Sequence, residues 1–94
     1  MIYPTEKGFR VEGAVTFNTV AAFRLQGEKW LAKSTLPQIE IDLSDMKDQD
    51  ASSISLLLCW MRFAKKNKLY FVNAPQSLQR MLNMFGLKEI TVNS

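Results

Sequence analysis

A 94-residue chain that is 47% hydrophobic and carries a net charge of +3 is one small domain, residues 1–94, with enough apolar side chains to fold around a core; it is not a disordered segment. The absence of histidine excludes a histidine-based triad, most zinc sites and the commonest general base. One cysteine, Cys59, excludes an intramolecular disulfide and fits a reducing compartment.

In chain order, residues 1–4 carry only a weak strand signal. FRVEGAV, residues 9–15, sets Phe9, Val11, Gly13 and Val15 against Arg10 and Glu12 and predicts a half-buried strand. Asn18 is a suitable N-cap for a helix whose Val20, Phe23, Gly27, Trp30 and Leu31 share one face. Glycine inside that pattern costs about 1 kcal/mol against alanine, which implies close packing of the helix on a sheet. Pro37 ends the helix, and QIEIDLS (38–44) alternates Ile39, Ile41 and Leu43 with Glu40 and Asp42, a second strand. DMKDQ (45–49) reads as a loop, residues 52–66 as a helix and KLYFVNA (68–74) as a third strand. Asn73-Ala74-Pro75 opens the last helix, with Leu78, Met81, Leu82 and Phe85 as its buried stripe. Gly86 stands at a left-handed C′ position, with Leu87 against Leu82. The tail EITVNS adds an edge strand or lies along the sheet. The order β-α-β-α-β-α predicts an α/β domain: a small mixed sheet with helices mainly on one face.

The middle helix carries more apolar surface than one core face needs. Advancing about 100 degrees per residue from Ile54, Ile54, Leu57, Leu58 and Met61 form the expected core face. Ser55, Arg62 and Lys66 form a polar stripe. Leu56, Cys59 and Phe63 fall on a third side, with Trp60 at its margin. A helix buried on several sides would explain this, but so small a domain has few elements to cover it. An exposed patch that docks a partner is the sharper expectation. That patch would be continuous with the helix mouth, Asp50, Ala51, Ser52 and Ser53, where Asp50 or Ser52 caps the helix. Cys59 has no activating base beside it and reads as a small apolar residue.

Other chemistry is poorly supported. The four glycines form no dinucleotide fingerprint, and no GxxxxGK[ST] loop occurs. Glu40 and Asp42 share a strand face, but nothing else suggests a paired-carboxylate site. The basic group Arg62, Lys65, Lys66 and Lys68 is a solvated helix end that complements the dipole. The acidic 40–50 segment opposes nucleic-acid binding. The opening MIYPTEKGF lacks a secretory pattern, and the longest apolar run, LLLCWM, is far too short to span a bilayer. No catalytic residue, cofactor, metal or small-molecule substrate is expected, and the chain reads as cytoplasmic.

The strand IDLS (41–44), a short loop, then Asp50-Ala51-Ser52-Ser53-Ile54 and an apolar helix resemble the STAS family, shared by sulphate transporters and anti-sigma factor antagonists. The likeness runs from about Val11 to Ile90. LYFVNAPQSLQRMLNMFGLKEI (69–90) is similar to one branch, the cytoplasmic STAS subunits of bacterial phospholipid-transport ABC systems. That resemblance implies a non-enzymatic subunit that binds the ABC transporter ATPase and meets the inner membrane only through the complex. The alternative it implies is a phospho-regulated antagonist that binds an anti-sigma serine kinase. Ser52 stands at the family's phosphoacceptor position, a possible phosphorylation site. The chain departs from the family pattern at Ser53, where a glycine is usual, and at Ala51, where the branch tends to carry threonine or serine.

Overall fold

The computed structural model describes residues 1–64 and 68–92. Among the described residues nine elements follow one another: β1 (Ile2–Pro4), β2 (Gly8–Val15), α1 (Val20–Lys33), β3 (Gln38–Gln49), α2 (Ser52–Phe63), β4 (Lys68–Val72), α3 (Gln76–Met84), a 3₁₀ turn (Lys88–Ile90) and β5 (Thr91–Val92). The strands lie in chain order in one five-stranded sheet. β1 is antiparallel to β2, and the later neighbours are parallel. Each parallel pair is joined through helical structure, as a parallel connection requires.

One face of the sheet is the core. Phe9, Val11 and Val15 of β2, Ile39, Ile41 and Leu43 of β3, and Phe71 of β4 are buried. Arg10, Glu12, Glu40, Asp42 and Tyr70 alternate with them and are only partly covered, so the three helices share the apolar side. Across the other side Arg10 meets Asp45 at 3.0 Å and lies 5.7 Å from the Tyr3 ring centre.

DMKDQ is strand and not loop: β3 continues to Gln49. Its Asp, Lys and Gln residues have poor strand propensity, but pairing with β2 overrides it. Glu12 aligns with Asp45, Gly13 with Met46 and Val15 with Gln49, with register shifts on either side of Gly13. Gly13 has φ +112°, a left-handed conformation that fits the irregularity and that other residues rarely adopt. Met46 is buried as a result.

The β1 edge is closed to further strands. Met1 and Thr5 bond to Glu12 and Gly8 of β2, so the backbone polar groups of Ile2 and Pro4 point away from β2. The Ile2 N–H donates to Gln26 Oε1 at 3.1 Å, and Pro4 has no N–H, a common way to blunt an edge.

Two aromatic contacts tie helices to sheet. Phe9 packs edge-on against Trp30 and against Trp60, each 5.2 Å away. Gly27 lies against the indole of Trp60, where a β-carbon would overlap the ring. The glycine therefore sets the distance between α1 and α2; the expected partner, the sheet, is not what it approaches. At the end of α3, Gly86 has φ +71°. The Leu87 N–H donates to the Leu82 carbonyl at 2.7 Å and that of Gly86 to Asn83 at 3.1 Å, the Schellman pattern. Leu78 and Leu82 are buried, but Phe85, expected in the stripe, is exposed because the helix ends at Met84 and the chain turns away there.

Candidate functional site

The core face of α2 is turned by about a quarter of a revolution from the one centred on Ile54. Ser53, Leu57, Trp60 and Ala64, at spacings i, i+4, i+7 and i+11, point inward, flanked by Ile54 and Leu56. Trp60 decides the orientation: it is fully buried, it fills the space left by Gly27, and its Nε1–H donates to the Arg24 carbonyl at 3.4 Å. Leu56, expected on the docking side, is 1% exposed and belongs to the core. Met61, expected in the core, is 40% exposed.

Apart from Met61, what faces outward on α2 is a strip of Ser52, Cys59 and Phe63, with Ser55 and Arg62 beside it. Cys59 is half-buried and Phe63 is 46% exposed. Together with Arg24 and Glu28 of α1 they line a shallow groove between the two helices. The Arg24 guanidinium donates to Glu28 at 3.0 Å along its rim. Lys65 and Lys66, expected at the basic end of α2, lie outside the described residues.

At the other end of the strip Asp50 organises the helix mouth. Its Oδ1 accepts from the Ser52 N–H at 2.8 Å, and its carbonyl accepts from the Ser53 N–H at 3.0 Å and the Ser53 hydroxyl at 2.8 Å. Asp50 thus satisfies donors that the helix start leaves free; Ala51 has no side chain to do so, and the Ser52 side chain makes no such cap. Asp50 and Ala51 are exposed, Ser52 is half-buried and Ser53 is buried. Ser53 therefore supports the mouth from beneath and presents nothing to a partner.

Asp50 also reaches across to the β2–α1 turn, where its Oδ2 accepts from the Phe17 N–H at 2.9 Å. The N–H groups of Phe17 and then Ser52 hold its carboxyl below the usual carboxylate range. The turn carries Phe17, 81% exposed. Sequence reasoning missed this residue. Continued two residues at a time, the β2 alternation would place Phe17 inward beyond Val15. The overlooked signal was Thr16 and Thr19 on either side of it, a turn-forming cluster. Asn18 was the expected cap, but α1 begins only at Val20. Thr19 closes the turn: its Oγ1 accepts from the Thr16 N–H at 2.9 Å and donates to the Ala14 carbonyl at 2.8 Å.

A second carboxylate, Asp42, fixes the β4–α3 turn. Burial pushes its carboxyl up, but the Ser44 N–H and hydroxyl, the Asn73 amide and the Arg10 charge outweigh it, and the net shift is downward. The Asn73 amide donates to Asp42 at 3.2 Å, and Asn73 itself has φ +59°.

A parallel sheet strung in sequence order behind an antiparallel β1, with a polar mouth at the start of the second helix, is the architecture of a STAS domain. The anti-sigma factor antagonist SpoIIAA in its unphosphorylated form has this fold, with TM-score 0.78 and 14% identity over 100% of this chain and 86% of that one. The Bacillus cell fate determinant SpoIIAA in its phosphorylated form gives TM-score 0.71 at 14% identity, over 100% of this chain and 89% of that one. No curated protein sequence matches the chain. The family model described as "Mlab, STAS domain" matches residues 4–92, and the chain belongs to that family.

Proposed function

We propose that this chain is a non-enzymatic STAS subunit that binds the cytosolic ATPase of a bacterial phospholipid-transport ABC complex and supports its assembly or activity. The match to the Mlab STAS family across residues 4–92 carries the reading. The exposed strip of α2 supplies a surface suited to it. Burying an aromatic side chain such as Phe63 at an interface contributes roughly 1.5–3 kcal/mol, and aromatic anchors dominate docking energetics. The docking set is Asp50, Ala51 and Ser52 at the mouth with Cys59 and Phe63 along the flank. The sequence has no phosphate loop, so nucleotide turnover belongs to the partner. Association with the inner membrane follows from that partner.

Ser52 serves the mouth and is not an obligatory phosphorylation switch. A phosphate there would add about −1.5 to −2 charges beside Asp50, whose carboxyl is already committed to two N–H donors. Co-expression with the ATPase tests the reading. Wild type should elute with it as one species, and Phe63→Asp should elute alone with an unchanged circular dichroism spectrum. Co-elution of Phe63→Asp with undiminished affinity would remove the flank from the interface.

A further inference from the structure

We infer that Phe17 is the anchor of the docking face, held in position by Asp50, and that it seats in an apolar pocket on the protein partner whose rim carries basic side chains. The inference rests on the docking role proposed above and adds to it a residue from a different element. Phe17 is 81% exposed, yet its backbone is fixed. The N–H groups from Thr16 to Val20 all have acceptors: Thr19 Oγ1 at 2.9 Å, Asp50 Oδ2 at 2.9 Å, Thr16 Oγ1 at 3.3 Å, and the Thr16 carbonyl at 3.0 and 2.8 Å for the last two. A large apolar side chain on a rigid turn loses little freedom on docking, which is what an anchor requires.

The choice of partner follows from charge. Asp50, which accepts from the Phe17 N–H, and Asp48 two residues before it are both exposed and outnumber the one exposed cation of that strand end, Lys47. An acidic surround repels the anionic surface of a bilayer and complements a basic rim on a protein. Asp50 is a positioning residue here. Its two carboxylate oxygens accept separately from Phe17 and Ser52, so one carboxylate locks the β2–α1 turn to the mouth of α2. Asparagine retains one acceptor oxygen and so can keep only one of these bonds.

The experiment measures affinity for the purified ATPase by biolayer interferometry, using the full chain. Phe17→Ser should weaken binding by about 30-fold or more, the loss expected of a hot-spot aromatic, with an unchanged melting temperature. Phe17→Leu should recover most of it. Asp50→Ala should weaken binding in both backgrounds but less in the Phe17→Ser background, the difference being the part of its effect that acts through Phe17. Equal losses in both backgrounds would overturn the positioning role. Wild-type affinity in Phe17→Ser, with binding lost in Phe63→Asp, overturns the anchor and leaves the docking face standing. Wild-type affinity in both variants overturns the face itself. Sedimentation of wild type, but not Phe17→Ser, with phosphatidylglycerol vesicles would make the anchor a membrane device and overturn the protein pocket.

Discussion

Replacing Gly27 by alanine should destabilise this domain, although alanine is the better helix former. The gain from propensity is about 1 kcal/mol. Against it stands a new β-carbon overlapping the indole of Trp60. That ring is fully buried, is met edge-on by Phe9 at 5.2 Å, and donates to the Arg24 carbonyl, so it has nowhere to retreat. Overpacking against a fixed group costs about 1–3 kcal/mol, and the fixed ring places this case near the upper value. The net loss is then about 2 kcal/mol, or a fall of roughly 8–16 °C in Tm for a domain of this size. Thermal melts followed by far-UV circular dichroism read it directly. A cycle with Trp60→Phe isolates the contact, because the smaller ring vacates space and should reduce the cost of Gly27→Ala. A Gly27→Ala protein as stable as wild type or more so would mean that propensity alone governs the position, and that α1 and α2 do not meet through it.

Leu56→Ala should cost about 2–5 kcal/mol in urea unfolding, whereas Phe63→Ala should cost under about 1 kcal/mol; equal costs would contradict the orientation of α2. The carboxyls of Asp42 and Asp50 are held below the ordinary range, so their folded pKa values lie below the unfolded ones. Their stabilisation is present above the unfolded carboxylate pKa of about 3.9 and is lost as pH falls through the lowered values. The Tm difference between wild type and Asp50→Asn should accordingly be larger at pH 7 than at pH 2, and a constant difference would refute the linkage. Ser52→Ala should bind the ATPase as wild type does and Ser52→Asp more weakly, with stoichiometric phosphoserine in native protein and an inactive Ser52→Ala as the contrary result. The purified chain should show no ATP hydrolysis; turnover that persists through successive columns and vanishes in a point variant of this chain would contradict that.

The alternation of β2 and of QIEIDLS, the breaks at Pro37 and Gly86, and the helical face of Phe23, Gly27 and Leu31 were legible because local pattern and tertiary placement agree at each. The continuation of β3 through DMKDQ was not legible, because its pairing depends on an irregularity at Gly13 more than thirty residues earlier in the sequence. The orientation of α2 was misread for a related reason. With apolar residues on nearly every side, periodicity cannot select a face, and the choice is made by one long-range contact, Trp60 on Gly27. Leu56 was assigned to the surface through that error and Ser53 through its place in the 50–53 mouth, whereas Cys59 and Phe63 lie outward on either orientation. Asp50 was recognisable as a cap, but its second bond, to Phe17, joins loops that only the fold brings together.

The central claim is most directly tested by isothermal titration of the purified chain into the purified ATPase subunit of the phospholipid-transport system from the same cell. Saturable binding to a defined stoichiometry, reduced by Phe63→Asp, is the expected result. The account is contradicted if the ATPase shows no heat of binding while an anti-sigma serine kinase from that cell binds the unmodified chain tightly and releases it once Ser52 is phosphorylated.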